Sequence, residues 1–385
     1  RPLFERVETV WNAREGAGLT DELARVLERT YESFVRSGAQ LEGAERERMS
    51  AIKKRLAELG TAFSQNVLAD EAAFMLPLHD EADLAGLPDG LRQAMAAAAA
   101  ERETDAPYVV TLSRSLIEPF LMFSERRDLR EKAYAAWISR GDNGNGTDNN
   151  AIIAETLALR KEFADLLGFA TYADYRLANT MAESPANVNE LLETVWPHAV
   201  GRALEERDSL EAEARRTGQN IEIEGWDWRY WAERVRRSNY DLDEAEVKNY
   251  LPLEGVIAAA FAVANRLFGL TFEPRDDIRA YHPDVRAFTV KDPTGNEVGL
   301  FLGDYFARAS KRSGAWMTAF RSQERLREAT TPIILNVMNF AKPAPGAPAL
   351  LSFDDARTLF HEFGHGLHGL LSDVTYPSLS GTSVE

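Results

Sequence analysis

The stretch Phe360-His361-Glu362-Phe363-Gly364-His365-Gly366-Leu367-His368 decides how the rest of the chain is interpreted. The chain has 385 residues and six histidines, and three of the histidines fall in this stretch. It follows Ser352-Phe353-Asp354-Asp355, which is similar to a helix capping box, and no proline interrupts it before Leu371. We therefore predict a helix over residues 353–371.

The spacing predicts that this helix has two different faces. At about 100° per residue, His361 and His365 lie within about 40° of each other. Apolar residues fall on the opposite side and are predicted to face the core: Ala356, Leu359, Phe360, Phe363, Leu367, Leu370 and Leu371. The helix is therefore predicted to present His361 and His365 on one face and to pack its opposite face against the core.

Two imidazoles one turn apart can bind a single metal ion, and Glu362, offset to the side, can reach a water on that ion without binding the ion itself. Zinc lowers the pKa of its bound water to about 7. Glu362 would accept the proton as the water attacks a carbonyl and pass it to the leaving amine. His368 lies about 10.5 Å further along the axis than His361, too far to share the ion, so a structural or supporting role is assigned to it.

This pattern predicts a zinc peptidase, and the alternative is a chance occurrence of the motif. Chance matches lie mostly on exposed helices without an apolar back face, whereas this helix is capped and amphipathic. The remaining histidines, His79, His198 and His282, are isolated in the sequence, and surface or packing roles are expected for them.

Composition limits the other classes of function. The chain has 61 acidic and 44 basic residues, a net charge of −17 and no cysteine. It therefore has no disulfide, catalytic thiolate or cysteine-ligated zinc, and its acidity argues against a nucleic-acid partner. No apolar run approaches the roughly 18 residues of a membrane span, and the first residues lack the apolar core of a signal peptide. We expect a soluble cytoplasmic monomer with no membrane partner.

Helical periodicity dominates the first two thirds of the chain. A long amphipathic helix is predicted around residues 49–67, and further helices around 94–100 and 152–167. Residues 141–146 are rich in glycine, but no strand precedes them and no Lys-Ser/Thr pair follows. They predict a loop between helices and not a phosphate loop.

Short β-type runs appear after Pro274. Residues 286–290 and 297–302 flank the turn Asp292-Pro293-Thr294-Gly295 and predict a hairpin, and residues 333–340 predict a strand just before the zinc helix. In zinc peptidases of this general design, an exposed strand edge pairs with the extended substrate. Residues 333–340 are the candidate edge, with an interior strand as the open alternative. The fold class is mainly α with a small β-sheet.

From His361 to Asp373 and from Tyr376 to Thr382, the sequence resembles the thimet oligopeptidase and neurolysin family of zinc metallopeptidases. It is most similar to the bacterial dipeptidyl carboxypeptidase (peptidyl-dipeptidase) branch. Upstream segments carry the same resemblance: Thr30–Ala39, Trp226–Tyr230, Tyr281–Val285 and Lys311–Met317.

The resemblance implies a two-lobed helical zincin-type peptidase with a deep channel and zinc at its floor. It implies oligopeptide substrates, His361 and His365 as zinc ligands, Glu362 as the catalytic base, and release of C-terminal dipeptides. It also implies an N-terminal helical part over residues 1–115 and the first portion of the catalytic domain over 116–385. Internal cleavage of oligopeptides and a truncated, non-catalytic peptide-binding fragment are the alternatives.

The third zinc ligand of the family is a Glu in a run resembling Gly-Thr-x-Val-x-Arg-Asp-Phe-Val-Glu. This chain ends Gly381-Thr382-Ser383-Val384-Glu385, so the family register places that ligand beyond residue 385. We therefore expect the chain to be incomplete at both termini. The spacing of Glu385 from His365 is similar to that of the thermolysin-like group, but Glu385 falls at a variable family position and is not expected to be the ligand.

Two departures from the family concern the zinc helix. Gly366 stands where the family commonly has Ala, which is expected to cost about 0.8–1 kcal/mol of helix stability or to loosen the second turn. Arg357, on the imidazole face, cannot accept a hydrogen bond from an imidazole N–H. Asp354 is the candidate acceptor.

Overall fold

A computed structural model of the chain describes residues 2–240, 244–308, 311, 314–343 and 347–383. The chain forms two compact units, one of residues 1–39 with 242–385 and one of residues 40–241. The predicted division at residue 115 stays a prediction. None of the helices in the described ranges is long and apolar enough to cross a membrane.

The described part is mainly helical. Its helices are Pro2–Asn12 (α1), Asp21–Arg36 (α2), Gly43–Ala73 (α3), Asp89–Glu101 (α4), Arg114–Phe123 (α5), Arg127–Ile138 (α6), Asn150–Leu166 (α7), Tyr172–Leu177 (α8), Pro185–Arg216 (α9), Trp228–Tyr240 (α10), Glu244–Lys248 (α11), Leu253–Phe268 (α12) and Phe353–Leu370 (α13). The predicted helices correspond to α3, α4, α7 and α13, and the glycine-rich residues 141–146 connect α6 to α7 as predicted.

Two small sheets complete the fold. The strands are Leu76–Leu78 (β1), Tyr108–Val110 (β2), Thr271–Pro274 (β3), Arg286–Lys291 (β4), Glu297–Phe306 (β5), Trp316–Arg321 (β6) and Ile333–Phe340 (β7). β1 pairs with β2, and the second sheet has the order β3-β4-β5-β7-β6. In that sheet only β5 and β7 run parallel, among the pairs formed by the described residues.

The sheet confirms the predicted hairpin and decides between the two alternatives left open for residues 333–340. β4 and β5 pair antiparallel around the turn, where the Asp292 carboxylate accepts hydrogen bonds from the backbone N–H groups of Thr294 and Asn296. β7 lies between β5 and β6, so it is an interior strand. The terminal strand on that side is β6, which was not predicted from the sequence.

A phenylalanine cluster fixes α13 against this sheet. The ring of Phe363 on α13 lies 5.6 Å from Phe301 of β5, 5.7 Å from Phe261 of α12 and 5.6 Å from Phe272 of β3, measured between ring centroids. Aromatic rings at such distances add attraction to the burial of apolar area. The helix that carries the histidines is therefore held by contacts with three other elements.

The packed face of α13 is narrower than predicted. Ala356, Leu359, Phe363 and Leu370 are buried and Leu367 is partly buried, but Phe360 is 39% exposed and Leu371 is 40% exposed. Angular position alone assigned Phe360 and Leu371 to the core, and that assignment was wrong, because the sheet and α12 cover only part of the apolar arc.

Candidate metal and active site

The candidate site is built on α13, whose start is fixed by a reciprocal cap. The Ser352 hydroxyl accepts a hydrogen bond from the Asp355 N–H, and the Asp355 carboxylate accepts one from the Ser352 N–H, each 3.0 Å long. Such a cap satisfies two N–H groups that the first turn leaves without helical partners. The helix runs to Leu370, which agrees with the predicted end within one residue.

The structure brings the imidazole rings of His361 and His365 together. The two Nε2 atoms lie 3.2 Å apart, and the ring planes are nearly perpendicular, at 86°. A tetrahedral zinc with Zn–N bonds of about 2.0–2.1 Å requires two nitrogens about 3.3 Å apart. Both side chains are exposed. The pair therefore fits a shared metal ion without a change of helix geometry.

Glu362 lies beside this pair but in a different environment. It is only 8% exposed, whereas both histidines are exposed. It follows His361 directly in the same helix, and its place at the side of the imidazole face stays a prediction from the helical spacing. A carboxylate shielded from bulk solvent next to a metal position is suited to accept a proton there.

The described ranges place no third metal-binding side chain beside the two histidines. No group of three or more His, Cys, Asp or Glu side chains within those ranges is arranged to hold one ion. Glu385, the residue that spacing nominated, lies outside the described residues. The roles of His361 and His365 as metal ligands therefore stay a prediction, and so does the third ligand.

The other candidate residues lie in separate environments. His368 lines an apolar cavity of about 590 Å³ together with Leu367 and Leu371. Asp354 accepts a hydrogen bond from Arg357, at 2.6 Å, and both side chains are exposed. This bond uses one oxygen of the carboxylate, and the role of Asp354 as acceptor for an imidazole N–H stays a prediction.

The edge strand β6 borders a polar cleft that sequence reasoning missed. The cleft has a volume of about 230 Å³ and lies among β6, the last turn of α13 and the segment after that helix. Its lining includes Thr318 and Ser322 from the β6 side, and Ser380, Thr382 and Ser383 from the other. An edge strand beside hydroxyl groups is suited to hold an extended peptide backbone.

A buried ionic cluster at the end of β5 was also missed. Asp304 is fully buried and accepts two hydrogen bonds from Arg308, at 2.7 and 2.6 Å, and one from the Tyr281 hydroxyl at 2.6 Å. Lys311 donates to the Asp304 carboxylate at 3.1 Å. Burial alone would raise the pKa of Asp304, but these donors outweigh it and lower the pKa to about 2. The only sequence signal was an aspartate inside the apolar run of β5.

Comparison with known proteins places these features in a family. The family model Peptidase family M3 matches residues 120–385. The chain belongs to peptidase family M3. The chain is similar to dipeptidyl carboxypeptidase of Escherichia coli strain K12, with 40% identity over 382 residues, which cover 99% of the chain and 56% of the relative.

Oligopeptidase A of Escherichia coli strain K12 is 34% identical over 373 residues, which cover 95% of this chain and 55% of that protein. Saccharolysin of Saccharomyces cerevisiae is 28% identical over 389 residues, which cover 96% of this chain and 53% of that protein. The chain spans about half the length of the curated relatives it matches. The resemblance predicted from the sequence motifs is confirmed.

Proposed function

We propose that the protein acts as a zinc metallopeptidase on short, unstructured oligopeptides and releases dipeptides from their free C-termini. The observation that carries this proposal is the 3.2 Å separation of the His361 and His365 Nε2 atoms beside the shielded carboxylate of Glu362. The names of the M3 relatives, dipeptidyl carboxypeptidase and oligopeptidase A, support peptide substrates.

Each residue of the proposed site has a separate task. His361 and His365 would hold the zinc through Nε2 as neutral imidazoles. Bound zinc would supply a water of pKa about 7 and polarise the scissile carbonyl. Glu362 would accept the proton released in the attack and return it to the nitrogen of the departing amine. The edge of β6 would align the peptide through backbone hydrogen bonds.

The finer expectations belong to this proposal as well. A two-lobed helical structure would enclose the site in a channel that admits only unfolded peptides. A glutamate of the family register beyond residue 385 would be the third ligand. We further propose a cytoplasmic monomer without nucleic-acid or membrane partners.

Internal cleavage is the second candidate activity, because oligopeptidase A matches the same part of the chain. Mass spectrometry of an unblocked peptide incubated with the chain and zinc separates the two activities by showing which bonds break. A C-terminally amidated copy of the peptide is the matched control. Loss of C-terminal dipeptides from the free peptide alone supports dipeptidyl carboxypeptidase activity, and internal cuts in both peptides support oligopeptidase activity. Absence of cleavage with and without chelator would contradict catalysis by this chain.

Substitution of Glu362 tests the assigned proton acceptor. Glu362→Gln keeps the size of the side chain but removes its basicity, so we expect zinc binding to persist while hydrolysis falls by at least about 10²-fold, the lower range for loss of a general base. Zinc content and turnover are measured on the same samples, with His365→Ala as the control that loses zinc. Turnover at the wild-type rate in Glu362→Gln would refute the role.

A further inference from the structure

The segment that follows the metal helix, residues 372–383, is tied back to the rest of its unit at several points. The Ser372 hydroxyl accepts hydrogen bonds from the Gly381 N–H at 2.9 Å and from the Ser380 hydroxyl at 3.1 Å. Gly381 has a φ of +63° and packs beside Gly369, in the last turn of α13. Residues 372–383 are called the return segment below.

Gln323 holds the backbone of the return segment from the side of the edge strand. It lies two residues after the end of β6 and is only 8% exposed. Its Nε2 donates to the Val374 carbonyl at 3.0 Å, and its Oε1 accepts from the Val374 N–H at 2.9 Å. A single amide thus satisfies both backbone groups of one residue, as a neighbouring strand would.

The next residues strengthen the same connection. The Arg325 N–H donates to the Thr375 carbonyl at 3.1 Å, and the Arg325 guanidinium lies 2.8 Å from the Asp373 carboxylate. The residues after β6 and the start of the return segment are therefore joined by main-chain, amide and ionic contacts. Since the return segment begins where α13 ends, these contacts connect the edge strand to the metal helix.

Helix α2 holds the return segment from another side. The Glu22 carboxylate accepts a hydrogen bond from the Thr375 N–H at 2.6 Å, and Arg29 donates to the Ser383 carbonyl. The family model covers residues 120–385, so these contacts come from a part of the chain outside its match. Residues 1–39 nevertheless belong to the same compact unit as α13.

We propose that Gln323 is a positioning residue for the metal pair, assisted by Glu22. By fixing the return segment, the two side chains hold the C-terminal turns of α13, which carry His365, in register with the edge strand β6. The inference rests on the proposed function in one respect, since it takes His361 and His365 as metal ligands. Residues that hydrogen-bond directly to metal ligands commonly change metal affinity by about 10–100-fold when mutated, and Gln323, which acts through the helix, is expected at the lower end of that range.

The test uses Co²⁺ as the metal probe on the whole chain. Wild type is compared with Gln323→Leu, which keeps the approximate size but makes neither hydrogen bond, and with Gln323→Glu, which keeps only the acceptor. We expect the Co²⁺ dissociation constant to rise about tenfold in Gln323→Leu and less in Gln323→Glu, with a changed visible absorption spectrum. Glu22→Ala should produce a smaller change of the same kind.

Two controls separate positioning from general loss of stability. Gln93→Leu makes the same substitution at an exposed site on α4, and Ile52→Ala destabilises the core of the other unit. Both should leave the Co²⁺ dissociation constant and spectrum unchanged. An unchanged constant and spectrum in Gln323→Leu, with the fold intact, would overturn the positioning role.

Hydrogen exchange of the metal-free chain supplies a readout that does not depend on metal binding. Gln323→Leu should accelerate amide exchange in residues 366–376 relative to wild type, whereas Gln93→Leu should not. If wild type binds no Co²⁺, the proposed metal centre is contradicted. The effect of Gln323 on the C-terminal turns of α13 is then tested by hydrogen exchange alone. Equal exchange in wild type and Gln323→Leu would then overturn the inference.

Discussion

Three glycines of α13 are predicted to respond differently to the same substitution, because their surroundings differ. A Cβ at Gly364 would meet no heavy atom within 4 Å, whereas a Cβ at Gly369 would lie 2.6 Å from Cδ1 of the buried Ile334. Gly364→Ala should therefore stabilise the protein by about 0.8–1 kcal/mol through helix propensity. Gly369→Ala should destabilise it by about 1–3 kcal/mol through overpacking.

Urea unfolding of both variants measures this contrast, and Gly366→Ala provides an intermediate case. A Cβ at Gly366 would lie 3.2 Å from Asn336 Oδ1 and 3.4 Å from Phe301, so the gain in propensity is opposed by close contacts. A stabilising Gly369→Ala would contradict the close packing of α13 on β7. The glycine that sequence reasoning expected to weaken the helix thus allows the helix to approach the sheet.

The same helix shows how far single residues could be predicted. Ser352 and Asp355 identified its start, and the spacing of His361 and His365 placed both imidazoles on one face, because capping and helical period depend on neighbouring residues alone. The exposure of Phe360 could not be predicted in this way, since it depends on which elements distant in the sequence cover the apolar face of the helix. Gln323 carried no signal, because its partner Val374 lies 51 residues away.

At the scale of elements, the buried Asp304 cluster is expected to make the sheet sensitive to acid. Its folded pKa of about 2 lies below the ordinary value of about 3.9, so the cluster stabilises the fold above about pH 4. That contribution should be lost as the pH falls from about 4 to about 2. Asp304→Asn should lower the free energy of unfolding by about 3–5 kcal/mol at pH 7, because Lys311 then remains buried without its carboxylate.

Urea unfolding of wild type and Asp304→Asn between pH 7 and pH 2 measures this dependence. The difference between the two proteins should shrink as the pH falls below about 4. Asp373→Asn is the control, because its carboxylate is 74% exposed and its ion pair with Arg325 should contribute at most about 1 kcal/mol. A difference that stays constant down to pH 2 would argue against an ionised Asp304 in the folded protein.

Strand order illustrates what element-level patterns leave open. The β-type run at residues 333–340 correctly predicted β7, but an interior strand and an edge strand of this composition have the same apolar run. Only the pairing of β7 with both β5 and β6 decides between them, and that pairing joins residues distant in sequence, as between Leu300 and Ile333 in the parallel register. The terminal strand on that side of the sheet is therefore β6 and not β7.

At the scale of the whole molecule, residues 40–241 form a compact unit that is inserted between the two parts of the other unit, residues 1–39 and 242–385. The inserted unit has its own buried clusters, and one of them joins α4, α5 and α6. Asp227, fully buried, also binds Arg130 at 2.8 Å and Arg127 at 2.7 Å within that unit. These internal contacts indicate that residues 40–241 contain what they need to fold.

We therefore expect residues 40–241, expressed alone, to unfold cooperatively with a free energy within the usual range of about 5–15 kcal/mol. Residues 242–385 alone lack Glu22 and Arg29, so their return segment should be cleaved faster by protease than in the whole chain. Adding residues 1–39 as a separate peptide should slow that cleavage, and a peptide with Glu22→Ala should slow it less. A non-cooperative melt of residues 40–241 would contradict the independence of that unit. Cleavage of residues 242–385 that the peptide leaves unchanged would show that the return segment depends on contacts other than those of Glu22 and Arg29.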